Sequence, residues 1–479
     1  MTDDFATLDA TAQAQLVRTG EASPAELVDA AIERIERIDP ELHAFTTTRF
    51  DRARTEAAGD LPDGPFRGVP FALKDLSCTL VGEPAYDGVP VLKLEDWRAP
   101  VTSNLAARFQ AAGLVIVGRT SSPELGIMPT TEPLAYGPTH NPWNLAHTPG
   151  GSSGGSAAAV VAGLIPFAHA SDGGGSIRIP ASCCGLVGLK TSRGRTSVGP
   201  ASDEIARPLS VQFAVTRSVR DAAALLDAVA GNDVGDPFTP PSQSGSFVDA
   251  LTTKVGPLRV GIMTTMPGSP DAVDAECVAA AEAVGRWFES NGHHVAAGYP
   301  AAFDEPERMT AFMPIWSAMA AANVMAISTK IGRDVVEGDI EPLTWRLAEH
   351  GRACDSGELM TALSAMGAFT RRFQQWWADG WDLLLTPTLG ELPSELGVLQ
   401  TPAEPFTGFM RGGSFTPFTA VTNQTGQPAI SLPVAMSESG LPIGAHLIAT
   451  AGREDLLLSV SAQIETAMPW AGRCPQVHA

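Results

Sequence analysis

Lysine is close to absent. Only Lys74, Lys93, Lys190, Lys254 and Lys330 occur in 479 residues, and the other 27 of the 32 basic residues are arginine. Positive charge is short overall: 53 Asp and Glu against 32 Lys and Arg leave a net charge of −21. An excess of that size repels phosphate backbones and anionic bilayers, so neither nucleic acid nor membrane is an expected partner. The six cysteines (Cys78, Cys183, Cys184, Cys277, Cys354, Cys474) are scattered and form no C-x-x-C pair, which reads as reduced thiols without a disulfide framework. No eighteen-residue apolar window is free of charge and proline. Residues 1–10 carry Asp3, Asp4 and Asp9 and lack the features of a signal peptide, so a cytoplasmic location is expected. H-E-x-x-H is missing, and the doublet His293-His294 follows Asn291-Gly292 in an expected turn. No metal and no cofactor are expected.

What is present is enough apolar residue, 44% of the chain, to bury a large core. Ser23-Pro24-Ala25-Glu26 combines a Ser cap, Pro at the first helical position and Glu at the third. The apolar positions Leu27, Ala30, Ala31, Ile35 and Ile38 then follow at helical spacing up to an expected stop at Asp39-Pro40. Short apolar runs at Val69–Leu73, Leu114–Val117, Arg259–Met263, Leu383–Leu385 and Ile430–Val434 alternate with amphipathic stretches. Those are Ser103–Ala112, Val219–Ala230, Ala272–Ser290, Leu359–Trp377 and Glu454–Met468. The alternation predicts an α/β fold: one large domain, residues 1–479, with a central mixed β-sheet covered by helices on both faces. A catalytic core over 65–200 and a peripheral helical subregion over 300–375 are expected within it. Residues 236–246, rich in Pro and Ser, read as a surface loop or linker.

Nine glycines fall between Gly150 and Gly185, seven of them in the clusters Gly150-Gly151-Ser152-Ser153-Gly154-Gly155-Ser156 and Asp172-Gly173-Gly174-Gly175-Ser176. Such clusters let consecutive backbone N–H groups converge on one anion. A Walker A loop needs a terminal Gly-Lys-Ser/Thr and a dinucleotide fold needs G-x-G-x-x-G after a strand; both are missing. That shifts attention to the oxyanion of acyl transfer. Gly150–Gly154 matches G-x-S-x-G, but Asn144–Pro149 before it is loop-like, and His446 reads as a satisfied strand histidine. What remains is serine with lysine as base. Lys74 closes the apolar run Gly68–Leu73, where burial disfavours the ammonium form. On residue type alone, pairing with Asp75 or extension to the surface is the commoner fate of such a lysine.

Together these segments, with Asn141-Pro142-Trp143-Asn144, Ser176-Ile177-Arg178-Ile179-Pro180 and Gly426-Gln427-Pro428-Ala429-Ile430-Ser431-Leu432-Pro433, resemble the amidase signature family of serine hydrolases from about residue 10 to 470. The triple glycine and Trp376–Thr388 are similar to the bacterial branch of aryl acylamidases and hydrolases of the cyclic 6-aminohexanoate dimer. Many members instead carry a bulky residue in place of Gly173.

The resemblance implies a Ser-Ser-Lys triad: Ser176 as nucleophile, Ser152, in a cis peptide, as bridge, and Lys74 as base. It also implies an oxyanion hole of Gly173, Gly174, Gly175 and Ser176 N–H groups, and support from Ser153, Asp172 and Arg178. Substrate-contacting residues are expected at Gly126, Ile127, Met128, Trp316 and Thr388, although Met313, Trp316 and Met319 at helical spacing are more often core. The implied activity is hydrolysis of a small linear amide, aryl amides and carbamates included, by a free-standing enzyme. A broad esterase or urethanase, or an inactive assembly subunit of the same fold, is the alternative. Family members are often homodimers; the sequence itself does not encode a readable oligomeric state.

Overall fold

The computed structural model describes residues 5–200, 202–266, 269 and 272–479. Helix Pro24–Leu42 follows from its sequence. Ser23 Oγ accepts the Glu26 N–H at 3.2 Å, and the Glu26 carboxylate accepts the Ser23 N–H at 2.7 Å, completing a capping box. Leu27, Ala31, Ile35 and Ile38 then line one buried stripe. The expected stop at Asp39-Pro40 is wrong by one turn, since the helix continues to Leu42. Proline in the last turn removes a single backbone hydrogen bond, and the Asp39 carboxylate receives the Ala44 N–H at 2.8 Å just past the helix end.

Eleven strands form one mixed sheet: β1 (Phe45–Thr48), β2 (Pro70–Lys74), β3 (Val115–Thr120), β4 (Phe167–Asp172), β5 (Val187–Lys190), β6 (Val211–Thr216), β7 (Arg259–Ile262), β8 (His294–Ala297), β9 (Leu383–Pro387), β10 (Ala429–Met436) and β11 (Pro442–Ala449). Their spatial order is β1-β3-β2-β4-β6-β5-β10-β11-β9-β7-β8. Parallel pairs (β2 with β3 and β4, β7 with β8 and β9) flank an antiparallel centre. The five apolar runs anticipated as strands are β2, β3, β7, β9 and β10. Missed were β1, β4, β5, β6 and β8, while β11 was anticipated only through the reading of His446 as a strand histidine. In β4 the reason is chemical: His169, Ser171 and Asp172 are all buried, so neither an apolar run nor an alternation marks it.

Helix Gly154–Val161 packs on β4 and β2, Arg178–Cys184 on β5, β10 and β11, Ala275–Ser290 on β9 and β11, and Glu454–Ala467 on β10 and β11. Within 307–378 the described residues are mainly helical, with no strand. The stretch 308–331 is apolar and long enough to cross a membrane by length and composition, yet 44% of its most apolar window is already buried in the protein. The sheet also determines where a cleft can open. Neighbours β2 and β4 run parallel, with Ala72 opposite Ala168, so their carboxyl ends finish at one edge. Clefts of open α/β sheets form at such edges.

Candidate active site

Lys74, the last residue of β2, is fully buried, and its Nζ donates to Ser152 Oγ at 2.6 Å and to Ser171 Oγ at 3.0 Å. It does not pair with Asp75, the commoner fate for its residue type. Arg119 takes that carboxylate at 3.0 Å instead. With hydroxyls as its nearest partners, burial pushes the Lys74 ammonium down to about 7, against the opposing pull of the Asp172 charge. His169, whose Nδ1 receives the Lys74 backbone N–H at 3.2 Å, is pushed down to about 3 by the same burial and stays neutral. Lysine scarcity alone does not single out Lys74. Lys190 at the end of β5 is equally buried, but its Nζ is satisfied by the Gln427 and Thr191 carbonyls at 2.7 and 3.0 Å, groups with no proton to exchange.

Ser152 follows a cis Gly151–Ser152 peptide at the entrance to helix Gly154–Val161. Ser153 Oγ donates to the Ser171 carbonyl at 3.3 Å and accepts the Ser171 N–H at 3.4 Å, tying the first glycine cluster to β4. Opposite, a Cβ on Gly126 would come within 3.0 Å of Ser152 Oγ, so the loop carrying Gly126 lies directly over that hydroxyl.

The second cluster turns out of β4 around Asp172. The Asp172 carboxylate accepts N–H groups from Gly175 (2.8 Å) and Ile177 (3.1 Å) and a two-pronged contact from Arg178 (2.8 and 3.0 Å). Asn423 Nδ2 adds a further bond at 2.8 Å, and Arg178 continues to Thr419, Thr422 and His446. Burial would raise the Asp172 carboxyl, but the Arg178 charge and hydrogen bonds prevail and hold it well below the usual carboxylate range. His446 is the satisfied strand histidine expected, in β11. Asn423, Thr419 and Thr422 escaped sequence reasoning, since polar residues in a short helix and the turn before it carry no signal of what they support.

The expected oxyanion set needs one correction. The Gly175 N–H is already engaged by Asp172, leaving Gly173, Gly174 and Ser176, whose N–H groups donate to no other atom among the described residues. Nor does every glycine exclude a side chain for steric reasons. A Cβ on Gly174 meets nothing within 4 Å, whereas Gly175 has φ +135° and its Cβ would strike Thr419 Oγ1 at 2.4 Å. Gly174→Ala is therefore expected to fold as the native chain does, while Gly175→Ala costs about 2 kcal/mol or more of stability, read as a lowered urea midpoint. Asp172→Asn strips the buried Arg178 of its counter-charge and is expected to destabilise by about 3–5 kcal/mol; adding Arg178→Met should recover part of that loss. The Asp172 contribution is present above the ordinary carboxylate pKa and fades as acid protonates the folded carboxylate, so the gap between native and Asp172→Asn closes at strongly acid pH.

Ser176, 8% exposed, stands where two arms of one cleft meet, together with Gly126, Ile127 and Trp316. The apolar arm adds Met128, Ile179, Phe312, Phe409, Met410 and Pro417. The polar arm adds Ser152, Ser171, Glu204, Arg207, Gln212 and Asn323. Trp316 and Met319 line the cleft while packing on the cluster of Leu209, Ile315 and Met366, and the Trp316 ring approaches a Gly173 Cβ position to 3.6 Å. Thr388 was misplaced. It is fully buried one residue past β9 and bonded to Ser431 Oγ at 2.8 Å, and it lines neither arm.

The fold is shared with known proteins. The family model described as Amidase matches residues 26–458. The chain is 41% identical over 478 residues to the 6-aminohexanoate-cyclic-dimer hydrolase of Paenarthrobacter ureafaciens, covering 98% of this chain and 96% of the relative. The solved structure of a 6-aminohexanoate cyclic dimer hydrolase superposes with a TM-score of 0.94 at 40% identity, covering 98% of this chain and 99% of that one. A bacterial aryl acylamidase gives a TM-score of 0.85 at 28% identity, with 97% and 99% coverage. The chain belongs to the amidase signature family and is an amidohydrolase acting on carbon–nitrogen bonds.

Proposed function

We propose that the protein hydrolyses small linear amides with apolar or aryl acyl groups, through Lys74, Ser152 and Ser176. The observation that carries this is the 2.6 Å contact between Ser152 Oγ and a buried lysine that has no acid partner among the described residues. Neutral Lys74 takes the proton of Ser152, Ser152 takes that of Ser176, and Ser176 Oγ attacks the carbonyl carbon. The N–H groups of Gly173, Gly174 and Ser176 receive the oxyanion. Collapse of the tetrahedral adduct returns the proton through Ser152 to the departing nitrogen, which is too poor a leaving group to depart as an anion. Water then cleaves the acyl-enzyme by the same path.

The apolar arm, walled by Met128, Phe312, Trp316 and Phe409, suits an aryl or alkyl acyl group. Esters and carbamates present the same planar carbonyl, so both are expected side substrates. An inactive assembly subunit would have no use for a desolvated lysine held against a serine in an open cleft. The test is turnover of an acyl p-nitroanilide, its p-nitrophenyl ester and an aryl carbamate by the purified chain. Release of p-nitroaniline supports the proposal. Cleavage of the ester alone would make the protein an esterase, and no amine from the carbamate under conditions that cleave the anilide would remove the urethanase activity.

A further inference from the structure

If Ser176, Ser152 and Lys74 act as proposed, and the inference rests on that reading, the two arms of the cleft have different tenants. Ser152 hands a proton to the departing nitrogen, so the amine lies on the side that Ser152 walls. Ser152 and Ser171 line the polar arm and not the apolar one.

Arg207 lines that polar arm. Its guanidinium donates to Asn323 Oδ1 at 2.6 Å and Ser77 Oγ at 3.1 Å, both neutral, and forms no ion pair with any described carboxylate. Three acids share its surroundings, and of these only the Asp87 charge reaches it, without a hydrogen bond or ion pair between the two. Asp87 is paired with Lys330 at 3.0 Å and accepts the Ser77 N–H. Asp203 is exposed and receives the Ile205 and Ala206 N–H groups. Glu204 is 3% exposed, and its Oε2 is buried without a partner among the described residues. Burial pushes the Glu204 carboxyl up to about 7, toward its protonated form near neutrality. An arginine keeps its charge at every accessible pH, and its planar fork matches a carboxylate. Glu204, when protonated, has an O–H to donate to the same group.

We infer that the polar arm receives leaving amines that bear a carboxylate, so that the preferred substrates are N-acyl amino acids with Arg207 holding the carboxylate. Among the described residues the other arginine lining the cleft is Arg308, which belongs to the apolar arm and lies over the Phe303 ring at 5.1 Å.

The test is a matched set of N-phenylacetyl amides whose amine is 4-aminobutyrate, butylamine or 1,4-diaminobutane, repeated with one methylene fewer and two more. The expected result is kcat/KM about tenfold or more higher for the acid than for the neutral amide at the best length, mainly through KM. Arg207→Gln should bring that ratio close to one, and Arg207→Lys should retain part of it. Preference for the neutral amide or the diamine at every length overturns the inference. So does an equal loss on both substrates in Arg207→Gln, which would make Arg207 a brace between Ser77 and Asn323. The mono-butylamide of adipic acid puts the charge on the acyl side, and an equal preference for it would refute the assignment of the arms. Calorimetric binding to Ser176→Ala separates the two proposals: tenfold tighter binding of the acid supports the carboxylate site even where no amide is cleaved, and equal binding overturns it.

Discussion

Ser176→Ala is expected to lower amide turnover by on the order of 10⁴-fold or more, with substrate binding retained. Among the described residues no hydrogen bond of the fold uses Ser176 Oγ, and the side chain is small and faces the junction of the two arms, so alanine leaves the cleft intact. The loss is therefore chemical. Without the hydroxyl no acyl-enzyme forms, and the residual rate comes only from the N–H groups and the held substrate. Two measurements check it. Mass spectrometry of the native protein mixed with a p-nitrophenyl ester should find one acyl group on the peptide containing Ser176, and none in the variant. The urea midpoint of the variant should match that of the native chain. Full amide turnover by Ser176→Ala would refute the nucleophile assignment.

How much of this was legible in the sequence depends on where the information lies. The Ser23 capping box is local, and helix Pro24–Leu42 begins where it says. The apolar strands β2 and β3 announce themselves because both faces are covered. By contrast, β4 carries His169, Ser171 and Asp172 into the interior, where their partners come from residues as distant as Asn423, and no pattern within the strand encodes that. Long-range satisfaction of polar groups is also why Lys190 and Lys74 look alike in sequence: what separates them is two carbonyls against two hydroxyls. The Gly/Ser clusters were visible as a loop that could face an anion. That Gly175 would spend its N–H on Asp172 was not, because the turn's hydrogen bonds depend on φ values the composition does not specify. Trp316 and Thr388, both expected at the substrate, part in the structure: Trp316 lines the cleft and Thr388 is buried away from it. Helical spacing cannot tell which face of Phe312–Ile331 meets a cleft, and Thr388 sits one residue past β9 on the buried side.

Lys74→Met should separate catalysis from stability, and in opposite directions. The lysine is drawn from an ordinary 10.5 down to about 7 chiefly by burial. In the folded chain it therefore binds fewer protons than in the unfolded one between those pH values, and native stability rises with pH across that window. At pH 7 the penalty of holding the lysine is still close to the full value it has at lower pH, on the order of 5 kcal/mol. Methionine removes it, while leaving Ser152 and Ser171 each without one hydrogen bond, at about 1 kcal/mol apiece. The variant is thus expected to melt no lower than the native protein at pH 7. Turnover of the amide should nevertheless fall on the order of 10³-fold or more, since nothing remains to accept the Ser152 proton. The ester should lose less, because an alkoxide or phenoxide departs without being protonated. In the native chain, kcat/KM for the amide should climb as pH rises through about 7, where Lys74 becomes the free base. Melting curves, the amide to ester ratio and the pH profile read these three consequences independently. An acid optimum, or a Lys74→Met chain that is less stable yet still cleaves amides, would mean that Lys74 is kept as a brace for the two glycine clusters and not as their base.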